Sequence, residues 1–380
     1  MYSNSSLSEK PPVLEEWYRR HLDRAKRDIS SSGVFPYTYA ELRRLTGLGA
    51  TDLDDVLVDD STSQGSPELR QAIADRYLAG RPERVMVTHG SSEAIALTLA
   101  TLLRPDDLVV LPDMLYHALV HYPELADCRL RSLPLDDFTA AGTDPGAMDR
   151  AIPPDTRAVI VNFPHNPTGA TLTPAAYRRL IDRVREVGAV LVWDAATAEI
   201  SWNGPVLPDP GLEHADTISY GTFSKAFGLP GLRVGWCTAP PELIERSFAL
   251  RDRSTLFLSP IVEAIATAAM RSADALVEPG RERARGNLAV LERWVAEHEG
   301  LVSWKPPQGG VCCLLELPGV TDSERFCLEL LEQDGTMLVP GTAFGREGTV
   351  RLGFGGGEKD FTDGLASLSR LLRAGGGPRR

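Results

Sequence analysis

Thr222-Phe223-Ser224-Lys225-Ala226-Phe227-Gly228-Leu229-Pro230-Gly231-Leu232-Arg233 decides how this chain of 380 residues is read. A lysine follows two hydroxyl residues, and an arginine stands eight positions later, past a Gly-Leu-Pro-Gly turn. Such a lysine can condense with an aldehyde, and the hydroxyls and the arginine suit a phosphate on the same molecule. The stretch therefore points to a Schiff base with pyridoxal 5'-phosphate (PLP). Taken alone, a solvated surface lysine explains it as well. The segments that decide between the two lie on either side.

Upstream, Arg84-Val85-Met86-Val87-Thr88 reads as a short buried strand, followed by His89-Gly90-Ser91-Ser92-Glu93-Ala94 and a helix to about Leu103. This order puts free N–H groups and hydroxyls at a helix N-terminus, where a phosphate is favoured by hydrogen bonds and by the helix dipole. An ordinary serine N-cap explains one serine, not the glycine and the second serine. After the apolar run Ala158 to Val161 comes Asn162-Phe163-Pro164-His165-Asn166-Pro167-Thr168-Gly169. Its two X-Pro bonds restrict the backbone and can aim the Asn166 amide into a cleft; a plain Pro-rich connection accounts for the prolines alone. Asp194 closes the next apolar run, Ala189 to Trp193. It is either a surface carboxylate or, if enclosed, one that needs a cation such as a protonated pyridine nitrogen. Asp28-Ile29-Ser30-Ser31-Ser32-Gly33-Val34 can bring hydroxyls and N–H groups near an anion, or form a plain turn.

The alternation of strand and helix patterns from Leu108 to Asp252 predicts an α/β fold: a mostly parallel sheet with crossover helices, with ligands gathering at the C-terminal ends of the strands. An amphipathic pattern predicts a helix over Pro12 to Arg27, with Trp17 as a packing anchor. Leu232 to Thr238 reads as a strand. Past Ser259, two long helices (about 260 to 272 and 278 to 298) and three short strands form an α+β portion. The expected division is an N-terminal arm contributing to the small domain (1–50), a large domain (51–258) and a C-terminal small domain (259–380). The Ser-rich first dozen residues and the Gly-Arg tail after Ala374 are expected to fray.

Composition fits a soluble enzyme, at 43% hydrophobic and 24% charged residues. A net charge of -12 argues against a nucleic-acid partner and tolerates a cationic substrate. The five scattered cysteines include no C-x-x-C pair, so reduced thiols and no metal site are expected. No signal-like segment opens the chain, and no apolar run reaches the roughly 20 residues that span a bilayer. A cytoplasmic protein without a membrane partner is expected.

Taken in order, the Gly-Ser-Ser helix start, Asn166, Asp194, Lys225, Arg233 and Val350-Arg351-Leu352-Gly353-Phe354 resemble the fold-type I PLP enzymes of the class I/II aminotransferase family over nearly the entire chain. The resemblance implies a large PLP-binding domain with a smaller α+β companion, and a homodimer. It also implies roles. Lys225 would carry the Schiff base and move protons, Asp194 would pair with the pyridine N–H, and Asn166 would donate to the ring's phenolic oxygen. Gly90, Ser91, Ser92, Thr222, Ser224 and Arg233 would hold the phosphate. Arg351 would grip the carboxylate of an amino acid substrate, with Asn166 and the Gly33 loop beside it. Tyr116 would stack on the cofactor, with His117 as second choice.

Two departures bear on the reaction. The family commonly has a tyrosine three residues after the aspartate, where this chain has Thr197, and another in the loop that here reads Asp59 to Gly65 without one. Within the family, Leu14-Glu15-Glu16-Trp17, the Asp28 to Val34 loop, Thr88 to Ala94, Asn162 to Pro167 and Gly228 to Cys237 are similar to the capreomycidine synthases, with streptolidine-forming enzymes as a variant. That likeness implies cyclisation of a hydroxylated arginine, with conventional transamination as the alternative. A PLP-sensing regulator is disfavoured, since about 50 residues ahead of Thr51 leave little room for a DNA-binding domain. Glu199 is one candidate among many acids for the substrate guanidinium.

Overall fold

Seven strands form the central sheet, in the order Val85–Thr88, Gly235–Thr238, Thr217–Thr222, Val190–Asp194, Thr156–Asn162, Leu108–Pro112 and Arg129–Leu133. Only Gly235–Thr238 runs antiparallel to its neighbours; every other pairing is parallel. The period-2 alternation of side chains explains why both faces are covered. Val109, Leu111, Ala158, Ile160 and Val192 pack on one face with Ala94, Ile95 and Leu99 of the helix Gly90–Leu102. Val110, Val159, Val161, Leu191 and Trp193 pack on the other with Tyr177, Leu180 and Val184 of the helix Pro174–Val187. That second helix starts at a Thr173 cap with proline in its first turn and stops at Gly188 in the left-handed conformation. The mostly parallel α/β sheet expected from the strand and helix alternation is therefore present.

The computed structural model describes residues 11–139, 145–202 and 204–375. The expectations for residues 1–10, for Asp144 and for the tail from 376 lie outside the described residues. Beyond the large sheet, a four-stranded antiparallel sheet joins Val339–Pro340, Thr349–Gly353, Cys312–Glu316 and Ser303–Trp304. Arg27–Asp28 pairs in parallel with Thr336–Met337. The N-terminal segment is thus tied to the C-terminal one, and the Trp17 indole N–H donates to the Leu338 carbonyl at 2.8 Å.

Three boundaries differ from the sequence reading, each for a local reason. The first helix covers only Val13–His21, because Leu22–Arg24 tightens into a 3₁₀ turn and Arg27–Asp28 is drawn into a strand. The strand expected from Leu232 begins at Gly235, since Pro230–Leu232 is a 3₁₀ turn and Arg233 has φ 53°. The long helix begins at Ala273 rather than 278 and runs through Pro279, held by buried Ala273, Leu276 and Val277.

Candidate active site

In the parallel strands Asn162 is level with Asp194, and Asp194 with Tyr220. Their C-terminal ends therefore form one row, with Thr222 two residues past Tyr220 and Lys225 in the turn that follows. A cavity of about 640 Å³ opens over this edge. It is lined by Ser91, Ser92, Tyr116, His117, Asn166, Asp194, Thr222, Ser224, Lys225, Arg233 and Arg351, so these sequence candidates meet in one place.

Of the remaining two, Gly90 has φ +74°, a conformation that favours glycine, and a Cβ there would lie 2.8 Å from the Arg233 guanidinium, which reaches the helix start beside it. Gly33 packs against the backbone of Ser224 and Lys225, and its neighbours Ser31 and Ser32 line the cavity instead. The Lys225 amine donates to Ser32 Oγ at 2.9 Å.

Asp194 is 5% exposed. Burial pushes its carboxyl up to about 6, against the opposing pull of the Ala196 N–H at 3.0 Å and of the Lys225 charge. Lys225 is depressed by desolvation and by the nearby Arg351 charge. Asn162 Nδ2 donates to the Asp194 carbonyl, and Asn162 Oδ1 accepts the Asn166 N–H, which locks the Asn166 loop onto the Asp194 strand. Arg351 Nη1 donates to Asn166 Oδ1 at 3.0 Å, so the donor end of that amide remains for a ligand.

Arg351 is fully buried and touches only neutral acceptors: the Ser30 carbonyl, Asn166 and the Tyr18 hydroxyl. Its guanidinium lies over the Phe344 and Tyr18 rings. The single proton of Ser30 Oγ goes to Asp28 Oδ1 at 2.6 Å. Tyr18 therefore donates to Ser30 at 2.9 Å and accepts from Arg351 at 2.8 Å.

At the other end, Thr222 Oγ1 donates to Ser224 Oγ at 3.1 Å, the Arg233 guanidinium lies 3.5 Å from the same oxygen, and Ser91, Ser92 and Tyr116 line the cavity with them. Hydroxyls, an arginine and a helix N-terminus converge there, the donor set a phosphate requires. An enclosed carboxylate for a pyridine nitrogen and a desolvated amine for an aldehyde stand beyond it. The residues present fit PLP.

Sequence reasoning named the serine loop that supplies Ser31 and Ser32 but missed other residues of this cavity: Glu15 and Tyr18 of the first helix, Asp28 and Asn162. For the helix a signal existed, because Glu15, Tyr18 and Leu22 recur at helical spacing. Glu199 does not belong to the cavity. It accepts from Arg76 at 2.9 and 2.8 Å and from the Tyr77 hydroxyl at 2.5 Å, in a separate small pocket. That corrects its candidacy for a substrate guanidinium: its charge is already matched. Among the described residues no group of His, Cys, Asp or Glu could hold a metal, and no helix is long and apolar enough to cross a membrane.

The sequence profile of the aminotransferase class I and II family matches residues 61–368. The chain belongs to that family, and it is a PLP-dependent enzyme with the family's fold. It is 40% identical to capreomycidine synthase from Streptomyces vinaceus, over 94% of this chain and 93% of that one. Its backbone is similar to a solved structure of the PLP-dependent cyclase OrfR, with a TM-score of 0.94, 55% identity and 98% and 99% of the two chains covered. A PLP-dependent aminotransferase from Streptococcus suis 89-1591 is also similar, with a TM-score of 0.90, 27% identity and coverage of 98% and 100%.

Proposed function

We propose that this enzyme cyclises a hydroxylated L-arginine to a cyclic guanidino amino acid such as capreomycidine or, from a substrate with a further hydroxyl, streptolidine. The Cα proton is removed, the β-hydroxyl leaves as water, a guanidine nitrogen of the same molecule adds to Cβ and gives up its proton, and a proton returns to Cα. The net change is the loss of one water, with the amino group retained. PLP, when bound, supplies the electron sink for the charge left at Cα.

Lys225 takes and returns the Cα proton, a task that suits an amine whose affinity for protons is lowered by burial. Asp194 keeps the pyridine nitrogen protonated. Asn166, its acceptor end held by Arg351, donates to the ring's phenolic oxygen. Gly90, Ser91, Ser92, Thr222, Ser224 and Arg233 hold the phosphate. Tyr116 would lie along the ring, with His117, which also lines the cavity, as second choice. Arg351 binds the substrate carboxylate, with Asn166 and the Gly33 loop beside it.

The observation that carries cyclisation over transamination is Thr197. Where the family commonly supplies a second hydroxyl to the phenolic oxygen, this hydroxyl is buried and spent on the Pro164 carbonyl at 3.0 Å. The likeness to a capreomycidine synthase and to a cyclase supports the same choice.

The test is to supply 3-hydroxyarginine without any oxo-acid acceptor. A product lighter by one water that keeps its amine is expected; turnover that requires an acceptor would refute the proposal in favour of an aminotransferase.

We also propose the division into 1–50, 51–258 and 259–380, supported by the pairing of Arg27–Asp28 with Thr336–Met337. The third part of the reading is a cytoplasmic homodimer. Leu57 and Val58, 75% and 74% exposed, support a surface that a second copy covers. Light scattering that gave a monomer mass at micromolar concentration would remove the dimer from the reading.

A further inference from the structure

The cavity holds carboxylates in three places, and their surroundings differ. Asp194 is enclosed at the strand ends, beside the Ala196 N–H and Lys225. Asp28 accepts both the N–H and the hydroxyl of Ser30, at 2.8 and 2.6 Å, and through Ser30 and Tyr18 it supports Arg351. Glu15 has neither kind of tie. Among the described residues no cation pairs with it, and it sits on the helix Val13–His21, whose Leu14 and Trp17 are buried.

The helical repeat puts Glu15 and Tyr18 on one face, toward the cavity, with Leu22 of the following 3₁₀ turn lining it beside them. Tyr18 marks the Arg351 end of that face. Glu15 lines the same cavity as Lys225, Tyr116 and His117, so it shares the space that the substrate enters and is not confined to the Arg351 end. The cations of the cavity, Lys225, Arg233 and Arg351, are met by Ser32, Ser224, Pro230, Ser30, Asn166 and Tyr18, none of them a carboxylate. Glu15 is exposed, so water meets its charge in the free enzyme, and among the three acids of the cavity it is the one left to exchange that water for a cation that the ligand brings.

We infer that Glu15 is the specificity residue for the distal cation of the substrate: its two oxygens take two N–H groups along one edge of the guanidinium and leave the other edge free to turn toward Cβ. This rests on the arginine-type substrate proposed above. The fork geometry of a carboxylate on a guanidinium gives direction as well as charge, and a ring closure needs direction. Glu199, the other acid close to Asp194 in sequence, is excluded because Arg76 already occupies both of its oxygens.

The experiment uses PLP-loaded enzyme and follows cofactor absorbance during titration with L-arginine, L-citrulline and L-norvaline. Citrulline keeps the shape of arginine and removes the charge. The unaltered enzyme is expected to prefer arginine over citrulline. In Glu15→Gln, arginine should bind about 10- to 100-fold more weakly, the effect of losing a charged hydrogen-bond partner, while citrulline changes by no more than about twofold. Glu15→Asp, which keeps the charge on a shorter stem, should recover part of the preference.

If Glu15→Gln keeps the preference, or weakens arginine and citrulline alike as a displaced helix would, the inference is overturned and the proposed reaction stands. If the unaltered enzyme binds arginine no better than norvaline, the arginine-type substrate itself is overturned.

Discussion

Replacing Asp194 by Asn tests the electrostatics of the cavity without needing any substrate. Burial lifts this carboxyl from its ordinary 3.8 to about 6. Below about pH 4 both folded and unfolded chains carry the proton, and the site costs nothing. As pH rises from 4 to 6 the unfolded chain releases its proton while the folded chain holds it, so stability falls; above 6 the loss is constant. At about 1.4 kcal/mol for each pH unit of separation, the plateau is a destabilisation of about 3 kcal/mol in the cofactor-free protein.

Asn is isosteric, keeps an oxygen for the Ala196 N–H and never ionises. Cofactor-free Asp194→Asn should therefore match the unaltered protein near pH 4 and exceed it by about 3 kcal/mol at pH 7.5, read as urea midpoints at several pH values. Loading with PLP should reverse the order, because the bound pyridinium favours the carboxylate and Asn offers no charge. A difference between the two cofactor-free proteins that stays flat from pH 4 to 8 would refute the reasoning, since the depressing pull of Lys225 and Ala196 would then equal the cost of burial.

Two further substitutions follow. A Cβ at Gly235 would lie 2.3 Å from the Ser91 nitrogen and 2.5 Å from the Gly90 carbonyl carbon, so Gly235→Ala must push back the start of the Gly90–Leu102 helix. At the roughly 1–3 kcal/mol typical of overpacking, PLP affinity should fall on the order of tenfold or more, and fluorescence titration showing unchanged affinity would remove this helix start from the phosphate site. Glu199→Gln breaks a pair that is 10% and 25% exposed, and leaves Arg76 with Asp274 as its remaining partner. Roughly 3 kcal/mol of stability should be lost, the low end for a broken buried pair, with the arginine-over-citrulline preference intact; loss of the preference without loss of stability would restore Glu199 as a substrate residue.

The parts of the site legible in the sequence are those whose position is set locally. Asp194 and Asn166 follow apolar strands whose alternation fixes where they end, and Ser91 and Ser92 open a helix directly after a strand. Lys225 and Arg233 flank a turn whose glycines and proline mark it. What was not legible depends on pairings distant in sequence. Tyr18 and Glu15 reach the cavity only because their helix docks through Trp17 onto Leu338, 321 residues away, and because Arg27–Asp28 adds to Thr336–Met337. Local pattern extends that helix to Arg27; the strand pairing that ends it early has no local signature. Glu199 failed for the opposite reason. It stands five positions past Asp194 in sequence, but the turn after the strand carries it to Arg76 and Tyr77.

The distribution of charge in the cavity also constrains what enters it. The chain carries a net charge of -12, yet Arg351 is buried among neutral acceptors, and Lys225 beside it is held by a serine. Burying a guanidinium without a counter-ion is costly, so the fold that maintains it must be offset elsewhere or completed by a ligand carboxylate. Asp28 does not complete it, because its Oδ1 is engaged by Ser30 and its hydrogen-bonded link to Arg351 runs through Ser30 and Tyr18. The same helix that brings Tyr18 to Arg351 brings Glu15 to the cavity that Lys225 and Tyr116 line. One rigid element thus supports a positive end and supplies a negative one. A plain dicarboxylate would meet Glu15 with like charge, and a monocationic amine would find no partner at Arg351. A ligand with a carboxylate at one end and a cation at the other satisfies both, which is the charge pattern of the hydroxylated arginine proposed above.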